Sequence, residues 1–189
     1  MGKSEAKRAL IKLLQQAYSG ELAAGLAYQG HHLSVRNNAE EKRAIFKIMG
    51  EELHHRDRLL LMICELGGSV DEKLEQRMNA IGMTIGFLCR VGRYIPLGWF
   101  ISMYGAGRLE SKNVEEYEHA ARYAWTSGNV HFVEELLQFA EVEWEHEKYF
   151  REKAYSHPTS RLVPGWKVPP AKFFIRSSFD EFASHTPPA

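Results

Sequence analysis

The sequence predicts an all-α protein: four long helices sharing one core, with a long crossover between the second and the third. Three observations lead there. Apolar residues recur every three or four positions through four long stretches, the period of a helix with one buried face. The breaks between stretches carry helix-stop chemistry, at Asn37-Asn38, Gly67-Gly68, Ser127-Gly128-Asn129 and His157-Pro158. No tract alternates polar and apolar residues as a half-buried strand does.

The first helix is expected from about Ser4, as N-cap, to about Val35, with the stripe Leu10, Leu14, Ala17, Ala24, Tyr28 and Val35. The second runs from about Glu40 to Leu66 and stops at the Gly67-Gly68 pair. Between Val70 and Pro96 lies a polar helical piece, Asp71 to Arg77, followed by an apolar stretch spaced by glycines. That segment is long enough to cross the length of a bundle, where a simple up-down arrangement would need only a short loop. The third helix is expected from about Leu97 to Thr126, with Met103, Gly107, Glu110, Val114, Tyr117, Ala121 and Ala124 in line. The fourth, about Val130 to Tyr155, aligns Val133, Leu136, Phe139, Ala140, Glu143, His146 and Phe150. Residues 1–156 thus read as the bundle and 157–189 as a tail. Pro164, Pro169, Pro170, Pro187 and Pro188 break the helical pattern there. Phe173, Phe174, Ile175, Phe179 and Phe182 make the tail too apolar to be disordered, so it should pack on the bundle or on a partner.

A chain of 189 residues, 44% hydrophobic, can bury one substantial core. Lys+Arg and Asp+Glu balance at 24 each, which gives no bulk charge for nucleic acid. Cys64 and Cys89 lie in apolar helical stretches and read as reduced core thiols of a cytoplasmic protein. The opening residues are too charged for a secretory signal. The stretch from Ala80 to Gly107 is interrupted by Arg90, Arg93 and Pro96, which makes it a poor membrane span.

The chemistry is carried by acidic residues on inward stripes. Glu21 is followed seven residues later by Tyr28, then by Glu52 and His55; Glu110 is followed seven later by Tyr117, then by Glu143 and His146. A buried ionised carboxylate costs several kcal/mol unless a partner or a metal compensates it. Four of them with two imidazoles call for cations, and oxygen with imidazole donors suits non-haem iron or manganese. Glu-x-x-His places both groups on one helical face, a turn apart. A bundle that holds two metals takes a Glu from each of two helices and Glu-x-x-His from each of the others. Glu51 with His54 also fits the spacing. However, Ile45, Met49, Leu59, Ile63 and Leu66 put Glu52 near the centre of the apolar face and turn His54 away from it. On the later helices, Glu115, Glu116 and Glu118 lie beside or outside the stripe, and Glu141, Glu145 and Glu147 read as solvated charge. Tyr28 and Tyr117 fit either a hydrogen bond to a ligand or ordinary core filling. His31, His32, His119 and His131 read as surface residues.

These residues resemble the ferritin-like di-iron carboxylate superfamily, and within it the demethoxyubiquinone hydroxylases. Gly20-Glu21 with Tyr28 and Gly30, Glu51-Glu52-Leu53-His54-His55 with Glu65-Leu66-Gly67, and Glu143-Trp144-Glu145-His146-Glu147 are similar to that family's motifs. Gly82, Gly86 and Gly92 are similar to its glycine-spaced crossover. The resemblance covers roughly residues 15 to 155. It implies that Glu21, Glu52, His55, Glu110, Glu143 and His146 hold two irons, with Tyr28 and Tyr117 behind them. The longer crossover, Arg90 and Arg93 within it, and the Pro- and Phe-rich tail depart from the family pattern.

The expected function is an O₂-activating di-iron monooxygenase, with an apolar, quinone-like substrate, a role in ubiquinone biosynthesis and an external electron donor. A ferroxidase or other iron-handling protein and a rubrerythrin-like peroxide reductase are the alternatives. The chain has no Cys-x-x-Cys pair for a rubredoxin module. Residues 81–99 read chiefly as a tightly packed crossover, with peripheral membrane contact as the competing reading. A homodimer is expected.

Overall fold

The computed structural model describes residues 2–35, 37–186 and 188, and no strand occurs among them. Six α-helices follow one another: α1 Lys3–Ser34, α2 Ala39–Glu65, α3 Glu72–Gly92, α4 Gly98–Thr126, α5 Val133–Ser156 and α6 Phe173–His185. Short 3₁₀ turns at Val130–Phe132 and Pro158–Leu162 flank α5. The all-helical expectation holds, while the count differs: α3 and α6 are additional to the four long helices expected. The crossover is one continuous helix, and the tail, where prolines break the helical pattern, contains α6. Pro187 lies outside the described residues.

Local chemistry explains the boundaries. Ser4, expected as the first N-cap, sits inside α1, which begins at Lys3, and its hydroxyl accepts from Arg8. Asn38 caps α2 by accepting from the Glu41 N–H at 3.0 Å, and Asp71 caps α3 by accepting from Leu74 N–H at 3.0 Å. α2 ends as a Schellman motif: Gly67 takes φ +74°, and the Gly67 and Gly68 amides donate back to Cys64 and Ile63 carbonyls. α4 ends in the same way, with Gly128 at φ +79° and the Gly128 and Asn129 amides on Trp125 and Ala124.

Two compact units divide the chain: Gln15–Gly105, and Met1–Leu14 with Ala106–Ala189. In the first, α3 lies directly on α1. A Cβ added at Gly82 would meet the Ala23 Cα at 2.7 Å, one at Gly86 the Leu26 carbonyl oxygen at 2.5 Å, and one at Gly30 the Gly86 carbonyl oxygen at 1.9 Å. The crossover glycines therefore serve close backbone packing. Arg56 fastens the same unit: its guanidinium lies 3.8 Å from the Tyr18 ring centroid, donates to the Tyr18 carbonyl and hydroxyl, and pairs with Glu75.

The second unit contains α4 from Ala106 onward, α5, the tail and the start of α1. Val114, Tyr117, Ala121 and Ala124 of α4 are buried, as are Leu136, Phe139, Ala140 and Phe150 of α5. The tail packs back on this unit. Trp125 stands edge-on to Phe179 of α6, and Arg176 of α6 pairs with Glu134 and Glu141 of α5. Cys64 and Cys89 are free thiols, as expected, but Cys64 is exposed rather than in the core. It lies on the outer row of α2 with Phe46 and Leu53, a row whose apolar composition does not mark it as inward.

Candidate metal centre

Each unit holds one triad of the predicted ligands. In the first, Glu21 of α1 and Glu52 and His55 of α2 are buried, and each offers a ligand atom within 4.8 Å of the others. In the second, the same holds for Glu110 of α4 and Glu143 and His146 of α5. The helical stripes account for both sets. Glu21 stands between Leu14 and Tyr28, Glu52 between Ile45 and Leu59, Glu110 between Met103 and Val114, and Glu143 between Leu136 and Phe150, all buried. The competing pair turns away as the period requires, with His54 exposed and Glu51 half-buried against Lys47.

The spacing within each triad suits an ion. His55 Nδ1 lies 3.9 Å from Glu21 Oε1, and His146 Nδ1 lies 3.8 Å from Glu143 Oε2. These separations are too long for a hydrogen bond. Two oxygen or nitrogen ligands about 2.1 Å from one ion can stand up to roughly 4.2 Å apart, so they are within reach of a shared metal. The donor set of carboxylate oxygens and imidazole nitrogens, buried and acidic, fits a divalent transition metal. Oxygen and nitrogen donors at such spacing accept several divalent ions.

Behind the second triad stands a residue that the stripe analysis missed. The Asn113 side-chain amide donates to Glu110 Oε2 at 2.9 Å and to Glu143 Oε2 at 3.3 Å. Its signal was available, because Asn113 follows Glu110 by three positions on the same helical face. A neutral donor of this kind orients carboxylates without cancelling their charge. Glu116 is half-buried, and burial, reinforced by the Glu143 charge, pushes its carboxyl up to about 7.

Tyr28 and Tyr117 are both buried. Tyr28 stacks on His31 with centroids 6.1 Å apart, and Tyr117 meets Phe139 edge-on at 5.4 Å. His31, expected at the surface, is buried, and desolvation followed by the neighbouring His32 lowers it to about 3, so it is neutral. It falls three residues after Tyr28 on the α1 stripe, which was enough to place it inside. His119 and His131 are exposed, as expected, and His32 is half-buried. Glu145 is exposed and Glu141 half-buried, but Glu147, also expected in solvent, is fully buried. Its carboxylate accepts from Arg151 Nε at 2.9 and 3.1 Å and from Trp166 Nε1 at 2.9 Å. Trp166 comes from the tail, nineteen positions away, and helical periodicity has no means of announcing it.

In comparisons with known proteins, no family model matches this chain, and neither does any curated protein or solved structure. The reading of the site therefore stands on its residues.

Proposed function

We propose that the two triads are halves of one dinuclear centre, carried by α1, α2, α4 and α5 in a ferritin-like four-helix bundle. On this reading the protein is an O₂-activating di-iron oxidoreductase that hydroxylates an apolar, quinone-like substrate. The observation that carries the proposal is the duplication. The same Glu, Glu and His set occurs twice, each buried, each with its ligand atoms within 4.8 Å, each preceded by the same Glu-to-Tyr interval. Four buried carboxylates need about two divalent cations to offset their charge. Bound there, iron would supply the binding and reduction of O₂, with electrons from an external donor.

The chain's own contributions follow from its residues. Glu21, Glu52, Glu110 and Glu143 would bind the cations, and His55 and His146 would each add one nitrogen. Asn113 orients two of the carboxylates. The apolar residues that flank each ligand on its stripe keep water away from it.

An apolar substrate is supported by the outer face of α3. Met83, Phe87, Leu88, Tyr94, Ile95, Leu97 and Ile101 are exposed there and just beyond it. No acidic residue occurs between Glu75 and Glu110, whereas Arg77, Arg90, Arg93 and Arg108 fall inside that interval. Exposed apolar side chains with arginines and no acids complement an anionic bilayer surface. No helix among the described residues is long and apolar enough to cross a membrane, so this contact would be peripheral. α3 rests by its glycines on the part of α1 that follows Glu21, so a bilayer contact on its outer face would lie one layer from a proposed ligand.

The test is metal analysis of protein purified without added metal, followed by O₂ uptake with a reductant and a quinone-like substrate. Close to two irons per chain and substrate-stimulated uptake support the proposal. A protein that takes up no divalent metal sinks it, and a very large particle on size exclusion that oxidises iron without organic turnover favours storage instead. Flotation with vesicles containing anionic lipid, lost on Phe87→Glu with Leu88→Glu, reads the bilayer contact separately.

A further inference from the structure

The tail after α5 does more than cover the surface. From Pro158 to Lys172 it returns along α5 and α4 as a strap. Ser111 of α4 donates to the Lys167 carbonyl, Trp144 of α5 donates to the Pro170 carbonyl at 2.7 Å, and Lys167 and Lys172 pair with Glu115 and Glu145. At its centre Trp166 reaches both helices. A Cβ added at Gly107 of α4 would lie 2.7 Å from the Trp166 ring and 3.1 Å from Phe150 Cβ of α5. The indole N–H donates to buried Glu147 of α5, and Tyr155 stacks on the ring with centroids 5.1 Å apart.

These contact points lie beside the second triad, one turn to the same side of it. Gly107 is one turn before Glu110 on α4. Glu147 is one turn after Glu143 on α5 and adjacent to His146. We infer that Trp166 is a positioning residue for the metal centre, wedged between α4 and α5 so that it sets the separation of Glu110 from Glu143 and His146. The inference rests on the metal reading proposed above and adds to it a role for a segment with no counterpart in the resembling family's pattern. Gly107 provides the seat, since only an absent side chain lets the indole lie against the helix there. Arg151 completes the anchor: its Nε donates to the same Glu147 oxygen, Oε1, at 2.9 Å and to Oε2 at 3.1 Å. The strap is therefore fixed by a buried carboxylate next to a predicted ligand, and not merely by surface ion pairs.

Cobalt(II) titration of the full chain tests this, because the visible spectrum of bound cobalt reports ligand geometry independently of turnover. Trp166→Ala is expected to weaken cobalt binding by about tenfold or more, in the range that outer ligand supports command, and to change the band shape. Trp166→Phe keeps the wedge and loses the N–H, so its loss should be smaller. Gly107→Ala raises the intrinsic helix propensity of α4 yet denies the indole its seat, so weaker binding from that variant separates positioning from general destabilisation. Trp125→Phe, which touches α6 away from the triad, should bind as wild type. Wild-type affinity and spectrum in Trp166→Ala and Gly107→Ala overturn the inference while leaving the metal reading intact. Equal weakening in Trp125→Phe also overturns it, by assigning the effect to loosening of the tail. No cobalt bound by the wild-type chain overturns the metal reading and this inference together.

Discussion

The two triads use the same residues, two glutamates and a histidine, but sit in different surroundings. Glu21, Glu52 and His55 belong to a unit whose third helix lies backbone to backbone on α1 and turns a row of exposed apolar side chains outward. Glu110, Glu143 and His146 belong to a unit braced by polar contacts: the Asn113 amide on two ligands, Glu147 held by Arg151 and Trp166, and a strap tied along both helices. Glycine packing is unyielding because backbone meets backbone. Side-chain bracing can give, because rotamers move. The first arrangement suits a fixed wall beneath an apolar surface, and the second suits ligands whose positions are tuned by their supports.

The largest expected effect breaks the wall. Gly30→Ala places a methyl 1.9 Å from the Gly86 carbonyl oxygen, with backbone on both sides and nothing able to rotate away. We expect a loss of about 3 kcal/mol or more, at or above the upper end for overpacking. Gly107→Ala meets the edge of an indole instead and should cost clearly less. Urea denaturation of both variants checks the ranking, and equal losses would erase the proposed difference between the units.

Removal of the brace should come next. Asn113→Ala deletes the donor to Glu110 and Glu143 while sparing every proposed ligand. Metal affinity should fall about tenfold, with little change in apoprotein stability beyond about 1 kcal/mol. Isothermal titration with a divalent metal measures it. Unchanged affinity would show that the second triad holds its geometry without this amide.

The smallest effect near neutral pH, growing as the solution is acidified, is a pH dependence that His31 gives the first unit. His31 is held neutral by burial, with its pKa lowered from 6.5 to about 3. Below pH 6.5 the unfolded chain takes up a proton that folded His31 refuses, so stability falls as pH drops and this contribution levels off near pH 3. Its slope is at most about 1.4 kcal/mol per pH unit. His31→Gln should flatten the stability profile between pH 6.5 and 4 relative to wild type. Parallel profiles for the two proteins would rule out His31 as the source.

Sequence by itself determined the helical class, most helix boundaries and the choice among competing acids. Caps and stops are local: Asn38, Asp71, Gly67 and Gly128 act on backbone groups within a few residues of themselves. Periodicity is nearly as local, so it could set Glu52 above Glu51, turn His54 outward and align Glu110 with Met103 and Tyr117. It could equally have placed His31 inside and pointed to Asn113. Tertiary structure alone decided what arrives at each face. Glu147 lies on the fringe of the α5 stripe, and it is buried only because Trp166 returns to it from the tail and Arg151 joins it. Cys64 sits in an apolar stretch, yet nothing among the described residues covers it. Periodicity gives the direction of a side chain from its own helix, whereas burial depends on neighbours brought in from distant parts of the chain.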